Sequence, residues 1–377
     1  MNDKSLGIYL HIPFCKSRCV YCDFVSSVAK AEDMDCYVNR LCSQIKDEGE
    51  GYSDCYTVDT LYFGGGTPTL LSEENLSRLL EEIKLNFKLD IKEFTVEANP
   101  CTVDIKKLSA LKESGVTRLS IGVQTFNDRL LKMLGRRHDK LQAINAIKIA
   151  KELGFDVSAD CMLALPKQTF EDVKEFVETA DGLGVEHISA YMLSVEEGTP
   201  LQKLIDDKTL VQKSDDESAE FYDYICSLLK DKGYRRYEVS NFCKNNKTSA
   251  HNLKYWQRKD YLGMGLSAHS LIDGVRWRCA NNFEEYYSLL DKNRPIRLDR
   301  EVLSEEDKKS EFIMLALRLE EGLDVEEYEM TFGENFAQEY SYALKKNSQF
   351  ILFDSKRLRI KEEYIKVMNS IVVDFLK

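Results

Sequence analysis

Cys15, Cys19 and Cys22 stand at C-x3-C-x2-C spacing inside the run His11-Ile12-Pro13-Phe14-Cys15-Lys16-Ser17-Arg18-Cys19-Val20-Tyr21-Cys22-Asp23-Phe24. Three thiols in one short loop can gather on a single inorganic centre. A [4Fe–4S] cluster takes one thiolate per iron that the protein fills, so three cysteines leave one iron open to a non-protein ligand. An open iron can bind and activate a molecule instead of only relaying electrons. Zinc normally draws four ligands, often as two separated pairs, and no second pair follows here. A redox C-x-x-C pair would use Cys19 and Cys22 but leave Cys15 without a role. Lys16, Ser17 and Arg18 make the loop too polar for three core cysteines.

The flanking elements must hold this loop. Apolar strand-like runs at 7–12, 58–63, 93–97, 118–123, 156–162 and 186–193 alternate with helical patterns near 33–49, 72–87, 104–114, 139–153 and 169–183. Ser72 and Asp104 sit where helices should start, and Gly115, Gly154 and Gly184 where they should stop. Repeated βα units predict a parallel sheet with helices outside. Six such units predict a partial (β/α)6 TIM-like barrel, with its chemistry at the strand C-terminal ends, where the cysteine loop falls. A helix near 215–232 leads to a strand at 234–239. Residues 241–300 read as a connecting region between a barrel over 1–240 and a smaller module over 301–377. In that module helices precede a hairpin at 350–353 and 357–360, and a helix over 365–375 closes the chain. This pattern resembles a winged-helix-like α+β module.

Composition narrows the function classes. The chain has 377 residues, 43% hydrophobic and 31% charged, with a formal charge of −12. That balance suits a globular protein and argues against non-specific nucleic-acid binding. No apolar run reaches the roughly 18 residues of a membrane span. The N-terminal Met-Asn-Asp-Lys-Ser-Leu lacks a signal-peptide pattern, so a cytoplasmic location is expected. In that compartment the eleven cysteines are no disulfide framework, and the eight outside the triplet, such as Cys36, Cys161 and Cys226, read as small buried residues.

Gly64-Gly65-Gly66-Thr67-Pro68 follows the second strand directly. Three glycines remove side chains where backbone must approach a ligand, and their amide and carbonyl groups can meet an amino or carboxylate group. With the cysteine loop and the βα units, this run resembles the radical S-adenosylmethionine (SAM) superfamily. The stretches 8–24, Thr95-Val96-Glu97-Ala98-Asn99-Pro100, Leu119-Ser120-Ile121-Gly122-Val123-Gln124, 127–136, 160–169, Tyr237-Glu238-Val239-Ser240-Asn241-Phe242 and His251-Asn252-Leu253-Lys254-Tyr255-Trp256 resemble its oxygen-independent coproporphyrinogen III oxidase branch.

The resemblance implies that Cys15, Cys19 and Cys22 bind a [4Fe–4S] cluster whose open iron is chelated by SAM. It assigns Tyr9, Tyr21, Gly65, Gly66, Thr67, Glu97, Gln124, Arg136 and Asp160 to cofactor contacts. True oxidases of the branch carry another cysteine two residues beyond the third ligand, where this chain has Phe24. The Cys-Asp-Phe ending and the His-Asn-x-x-Tyr-Trp run are similar to the HemW family of heme chaperones. That likeness implies heme as cargo, with His251 as axial ligand and Tyr255 and Trp256 packed on the porphyrin; His269 is a second candidate. It further implies SAM cleavage without coproporphyrinogen oxidation, a heme-acceptor protein, an electron donor such as a flavodoxin or ferredoxin, and leaves a homodimer open. The alternatives are a coproporphyrinogen III oxidase or a radical SAM methyltransferase acting on heme. One departure stands out: the family's Tyr-Gly-Leu-Pro is Leu163-Ala164-Leu165-Pro166 here, with the backbone expected to be kept.

Overall fold

A computed structural model describes residues 4–292 and 296–376. The outer ends of the barrel and the C-terminal module, Met1–Asp3 and Lys377, lie outside the described residues.

Six parallel strands line up in chain order: β1 (Lys4–Ile12), β2 (Tyr56–Gly65), β3 (Lys88–Ala98), β4 (Arg118–Gln124), β5 (Asp156–Leu163) and β6 (His187–Met192). Between them run α1 (Ala31–Tyr52), α2 (Glu73–Asn86), α3 (Ile105–Glu113), the short α4 (Asp128–Met133), α5 (Lys140–Glu152) and α6 (Phe170–Gly182). Ser72 and Asp104 cap α2 and α3 by accepting from the backbone N–H of Asn75 and Lys107. Gly115, Gly154 and Gly184 take the left-handed conformation just past their helices. One face of the sheet buries Leu6, Ile8, Leu10, Val58, Val96 and Val157 against this helical layer, which is the main hydrophobic core.

The sheet does not close. Its order continues past β1 to β9 (Tyr261–Met264), β10 (His269–Ile272), β11 (Val275–Arg278) and β12 (Leu298–Val302), and past β6 to β8 (Asn241–Cys243) and β7 (Arg235–Arg236). Residues 241–300 therefore extend both edges of the barrel sheet, with β9 parallel to β1. They also carry α9 (Ala250–Trp256) and α10 (Phe283–Asp291), after α7 (Pro200–Asp206) and α8 (Asp215–Asp231). The C-terminal module holds α11 (Glu305–Ala316), α12 (Val325–Phe332) and a three-stranded sheet of β13 (Leu323–Asp324), β15 (Arg357–Ile360) and β14 (Ile351–Phe353). The helix expected over 365–375 is broken into a 3-10 turn at Glu362–Val367, one helical turn at Met368–Val372 and a 3-10 turn at Val373–Phe375. Val367, Ile371, Val372 and Val373 are β-branched, and that crowding weakens a regular helix. Among the described residues no helix is long and apolar enough to cross a membrane.

A buried polar knot ties α9 under the barrel. The Glu93 carboxylate accepts from Arg118 Nε at 3.1 Å, from Ser249 Oγ and from the backbone N–H of Ala250 and His251. Arg118 also donates to Ser158 Oγ and to the carbonyls of Lys247 and Thr248. Ion pairs this deep are costly to break singly, because the surviving charge loses its partner.

Ala164 adopts φ +56°, so the backbone is the left-handed one a glycine would take freely. An L side chain there costs roughly 1–2 kcal/mol. Ala164→Gly is therefore expected to raise stability by about 1 kcal/mol in urea denaturation, net of the glycine's added unfolded-state entropy. Glu93→Ala is expected to cost about 3–5 kcal/mol in the same assay. An unchanged denaturation midpoint for Glu93→Ala would remove the knot from the account of stability.

Candidate functional site

At the C-terminal ends of the strands lies a cavity of about 460 Å³, within the roughly 300–1,000 Å³ range of small-molecule pockets. Register creates it. Ile12 pairs with Gly65, so the cysteine loop and the glycine run leave adjacent strands at one level. Gly66 N–H donates to Ile12 O at 2.9 Å and Thr67 N–H to Phe14 O at 2.7 Å. Only glycine fits here: Gly65 has φ +103°, and an added Cβ would stand 2.3 Å from His11 Cε1. A Cβ on Gly66 would meet Phe14 O at 2.6 Å.

Cys15, Cys19 and Cys22 all line this cavity. Among the described residues no three His, Cys, Asp or Glu side chains converge closely enough to hold a single metal ion. A multi-iron centre asks for something else, one thiolate on each of three irons. Thr67 Oγ1 donates to Cys15 Sγ at 3.8 Å and Arg136 Nη1 to Cys19 Sγ at 3.6 Å. Arg136 Nη2 is held by the Gly122 carbonyl, and its Nε is buried without a partner. Burial raises the Cys15 and Cys22 thiols, while donors such as Thr67 pull Cys15 back.

Two carboxylates form the polar floor. Glu97 accepts from Tyr62 Oη at 2.8 Å and from Gly65 N–H at 2.9 Å, with burial pushing its pKa up and these two donors opposing the rise. Asp160 accepts from Ser120 Oγ at 3.4 Å. Burial and then the Glu97 charge push Asp160 up to about 7. Near neutrality Asp160 therefore populates both protonation states, while the Glu97 carboxyl, raised by the same burial, is the one held by two donors. Both suit hydroxyl or ammonium groups of a ligand.

Of the expected cofactor residues, Tyr21, Gly65, Gly66, Thr67, Glu97, Gln124, Arg136 and Asp160 line the cavity with the three cysteines. Tyr9 stands behind the lining. Its hydroxyl bonds His11 Nδ1 at 3.0 Å, and His11 Nε2 bonds Val25 O at 3.0 Å, so it braces the end of the cysteine loop. His251 is not brought to the cavity. It is fully buried, with Nδ1 on Thr60 Oγ1 at 2.9 Å and Nε2 on Tyr255 Oη at 2.8 Å. Burial and then Lys254 push it down to about 3, so it is neutral. Both ring nitrogens are committed, and a heme iron could reach neither without opening this core. The ring lies 5.2 Å from that of Tyr62, which places the His-Asn-x-x-Tyr-Trp helix beneath the floor.

Sequence reasoning missed Tyr62, Ser120, Tyr191 and Cys101, all cavity-lining. Ser120 pairs with Glu97 across β4 and β3, so strand alternation from Glu97 would have found it. Cys101 has no such signal. The remaining cysteines also differ from expectation: only Cys161, Cys243 and Cys279 are buried, Cys55 is exposed, and Cys36 and Cys226 are half-buried. Helix and loop surfaces cover those sites only in part.

Known proteins match this arrangement. Residues 9–180 match the radical SAM superfamily and residues 303–363 the HemN C-terminal domain. A heme chaperone HemW of Lactococcus lactis is 33% identical, with 100% of this chain and 98% of the relative covered. The Bacillus subtilis heme chaperone HemW is 37% identical over 89% of each chain. The structure of Escherichia coli coproporphyrinogen III oxidase (HemN), described as a radical SAM enzyme, superposes with a TM-score of 0.88 at 24% identity, covering 99% of this chain and 90% of that one. That likeness concerns the fold.

Asp160 carries a pH prediction. A carboxylate raised in the folded state stabilises the fold while protonated, and that contribution is lost as pH rises from its ordinary 3.8 through about 7. Asp160→Asn should therefore melt above the wild type at pH 8, with the gap closing by pH 4. A constant gap across that range would contradict the assignment.

Proposed function

The chain belongs to the HemW family of the radical SAM superfamily, and on that premise we propose that it is a heme chaperone holding a [4Fe–4S] cluster and SAM. The observation that carries this reading is the meeting of three thiols, a side-chain-free glycine run and a Glu97–Asp160–Arg136 set in one cavity. The residues fit the group. Cys15, Cys19 and Cys22 would each hold an iron, and the Arg136 and Thr67 donors already aimed at sulfur suit thiolates rather than thiols. A cluster bound there supplies the electron for reductive cleavage of the SAM sulfonium.

The chain's own residues do the rest. Gly65 and Gly66 let backbone approach the ligand without a Cβ. Glu97, fixed by Tyr62 and Gly65, keeps an acceptor in place, and Asp160 can accept or give a proton at its carboxyl oxygen. Arg136 balances the charge of Cys19. Tyr21 covers the cavity beside Arg136 and the cysteine loop. The acceptor protein, and a flavodoxin- or ferredoxin-type electron donor, belong to this proposal, as does a cytoplasmic location.

The resemblance to the oxidase branch leaves a second reading, oxidative decarboxylation of coproporphyrinogen III. Phe24 speaks against it. This side chain lines the cavity and is 63% exposed, at the position where the oxidases carry another cysteine.

Anaerobic reconstitution of the wild type should give Mössbauer spectra of a [4Fe–4S] cluster that Cys19→Ala loses; a cluster intact in that variant would sink the ligand set. With SAM, reductant and coproporphyrinogen III, no protoporphyrinogen should form, and its appearance would favour the oxidase reading.

A further inference from the structure

Among the described residues, none from His251 to Trp256 lines the cavity, yet this stretch of α9 meets the cavity floor from below. α9 is anchored twice. The Glu93 carboxylate takes the backbone N–H of Ala250 and of His251 at 3.0 Å each. Lys254 Nζ pairs with Asp59 at 2.7 Å and donates to Ser5 Oγ at 2.6 Å. Gly7 on β1 leaves room for the helix: a Cβ there would stand 2.9 Å from Lys254 Cδ and 3.3 Å from His251 Cε1. Backbone approach this close holds α9 at a fixed height against β1 and β2.

His251 and Tyr255 are four residues apart, so they share one face of α9. On β2, Thr60 and Tyr62 are two residues apart, and on β3 Glu93 and Glu97 are four apart, so alternation puts all four on the inner face of the sheet. His251 Nδ1 bonds Thr60 Oγ1 at 2.9 Å, and Nε2 bonds Tyr255 Oη at 2.8 Å. Two bonds from opposite sides of the imidazole fix the plane of the ring. The Tyr62 ring lies 5.2 Å from it at an interplanar angle of 30°. Tyr9 gives Tyr62 a second aromatic neighbour at 5.9 Å.

Tyr62 carries that order up to the ligand surface. Its hydroxyl donates to Glu97 Oε1 at 2.8 Å, while Gly65 N–H donates to Oε2 at 2.9 Å, one donor for each oxygen. Gly64 clears the space between them: a Cβ there would lie 2.7 Å from Tyr62 Cε1 and 2.9 Å from Glu97 Cδ. Burial already raises the Glu97 carboxyl, and the Tyr62 donor is the first of the two groups that oppose the rise. A Tyr62 ring that lost its neighbour below would regain rotamer freedom, and Oε1 would lose a buried hydrogen bond.

We propose that His251 is a positioning residue for the SAM site: braced by Thr60 and Tyr255, its ring sets the plane of Tyr62, and Tyr62 aims the Glu97 carboxylate at the ligand. This rests on the reading of the cavity as a SAM site. It ties the His-Asn-x-x-Tyr-Trp run to the cofactor through packing and hydrogen bonds, with no bond from His251 to a heme iron.

The test titrates SAM into full-length, anaerobically reconstituted protein by isothermal calorimetry. Tyr62→Phe should bind SAM about tenfold more weakly. His251→Ala should lose a similar factor, and the double variant should lose about tenfold rather than about a hundredfold, because both changes break one chain of contacts. Thr60→Val removes only the Nδ1 partner and serves where His251→Ala folds poorly. It should weaken SAM binding, with no further loss when combined with Tyr62→Phe. The EPR of the dithionite-reduced cluster without SAM should match the wild type in every variant. A merely structural role would lower the melting temperature while SAM affinity stays that of the wild type, or would give losses that multiply in the double variant. Either result would overturn the assignment and leave the SAM site standing. A wild type that binds no SAM would overturn both.

Discussion

Everything at this site depends on two backbone hydrogen bonds, Gly66 N–H to Ile12 O and Thr67 N–H to Phe14 O. They fasten the glycine run to the start of the cysteine loop. They form only because Gly65 and Gly66 lack side chains, since a Cβ on either would strike His11 or the Phe14 backbone. Bringing those two segments together sets where the thiols stand relative to Glu97, whose carboxylate takes the Gly65 N–H. Glycine here is thus a packing requirement at a ligand surface rather than a flexible hinge.

Charge balance follows from that geometry. Two carboxylates and up to three thiolates crowd one cavity, with Arg136 as the cation beside Cys19. Such a cavity resists further negative charge, which is why burial raises Glu97, Asp160, Cys15 and Cys22 together. A cluster with bound iron, and a cationic sulfonium ligand, would each relieve this crowding. Underneath, the Glu93–Arg118 pair and the His251–Thr60–Tyr255 bonds hold the floor in place.

The barrel was legible because its signals are local. Strand alternation, the Ser72 and Asp104 caps and the glycines past α3, α5 and α6 mark each βα unit independently of tertiary context. The cysteine triplet and glycine run were legible because their spacing is unusual. Residues 241–300 were not, since β9 and β10 are only four residues each and join distant edges of one sheet. His251 is instructive: a histidine beside two aromatics invites a ligand reading, but only the fold reveals that Thr60 and Tyr255 already occupy its nitrogens. His269, a minor candidate by sequence, is exposed at the start of β10.

The central claim is that three thiolates leave one iron free for SAM. EPR of the dithionite-reduced cluster, recorded with and without SAM, addresses it most directly. A change in g values on adding SAM is the predicted result, because a new ligand at one iron alters the electronic structure of the cluster. An identical spectrum at saturating SAM would contradict the open iron and the function built on it.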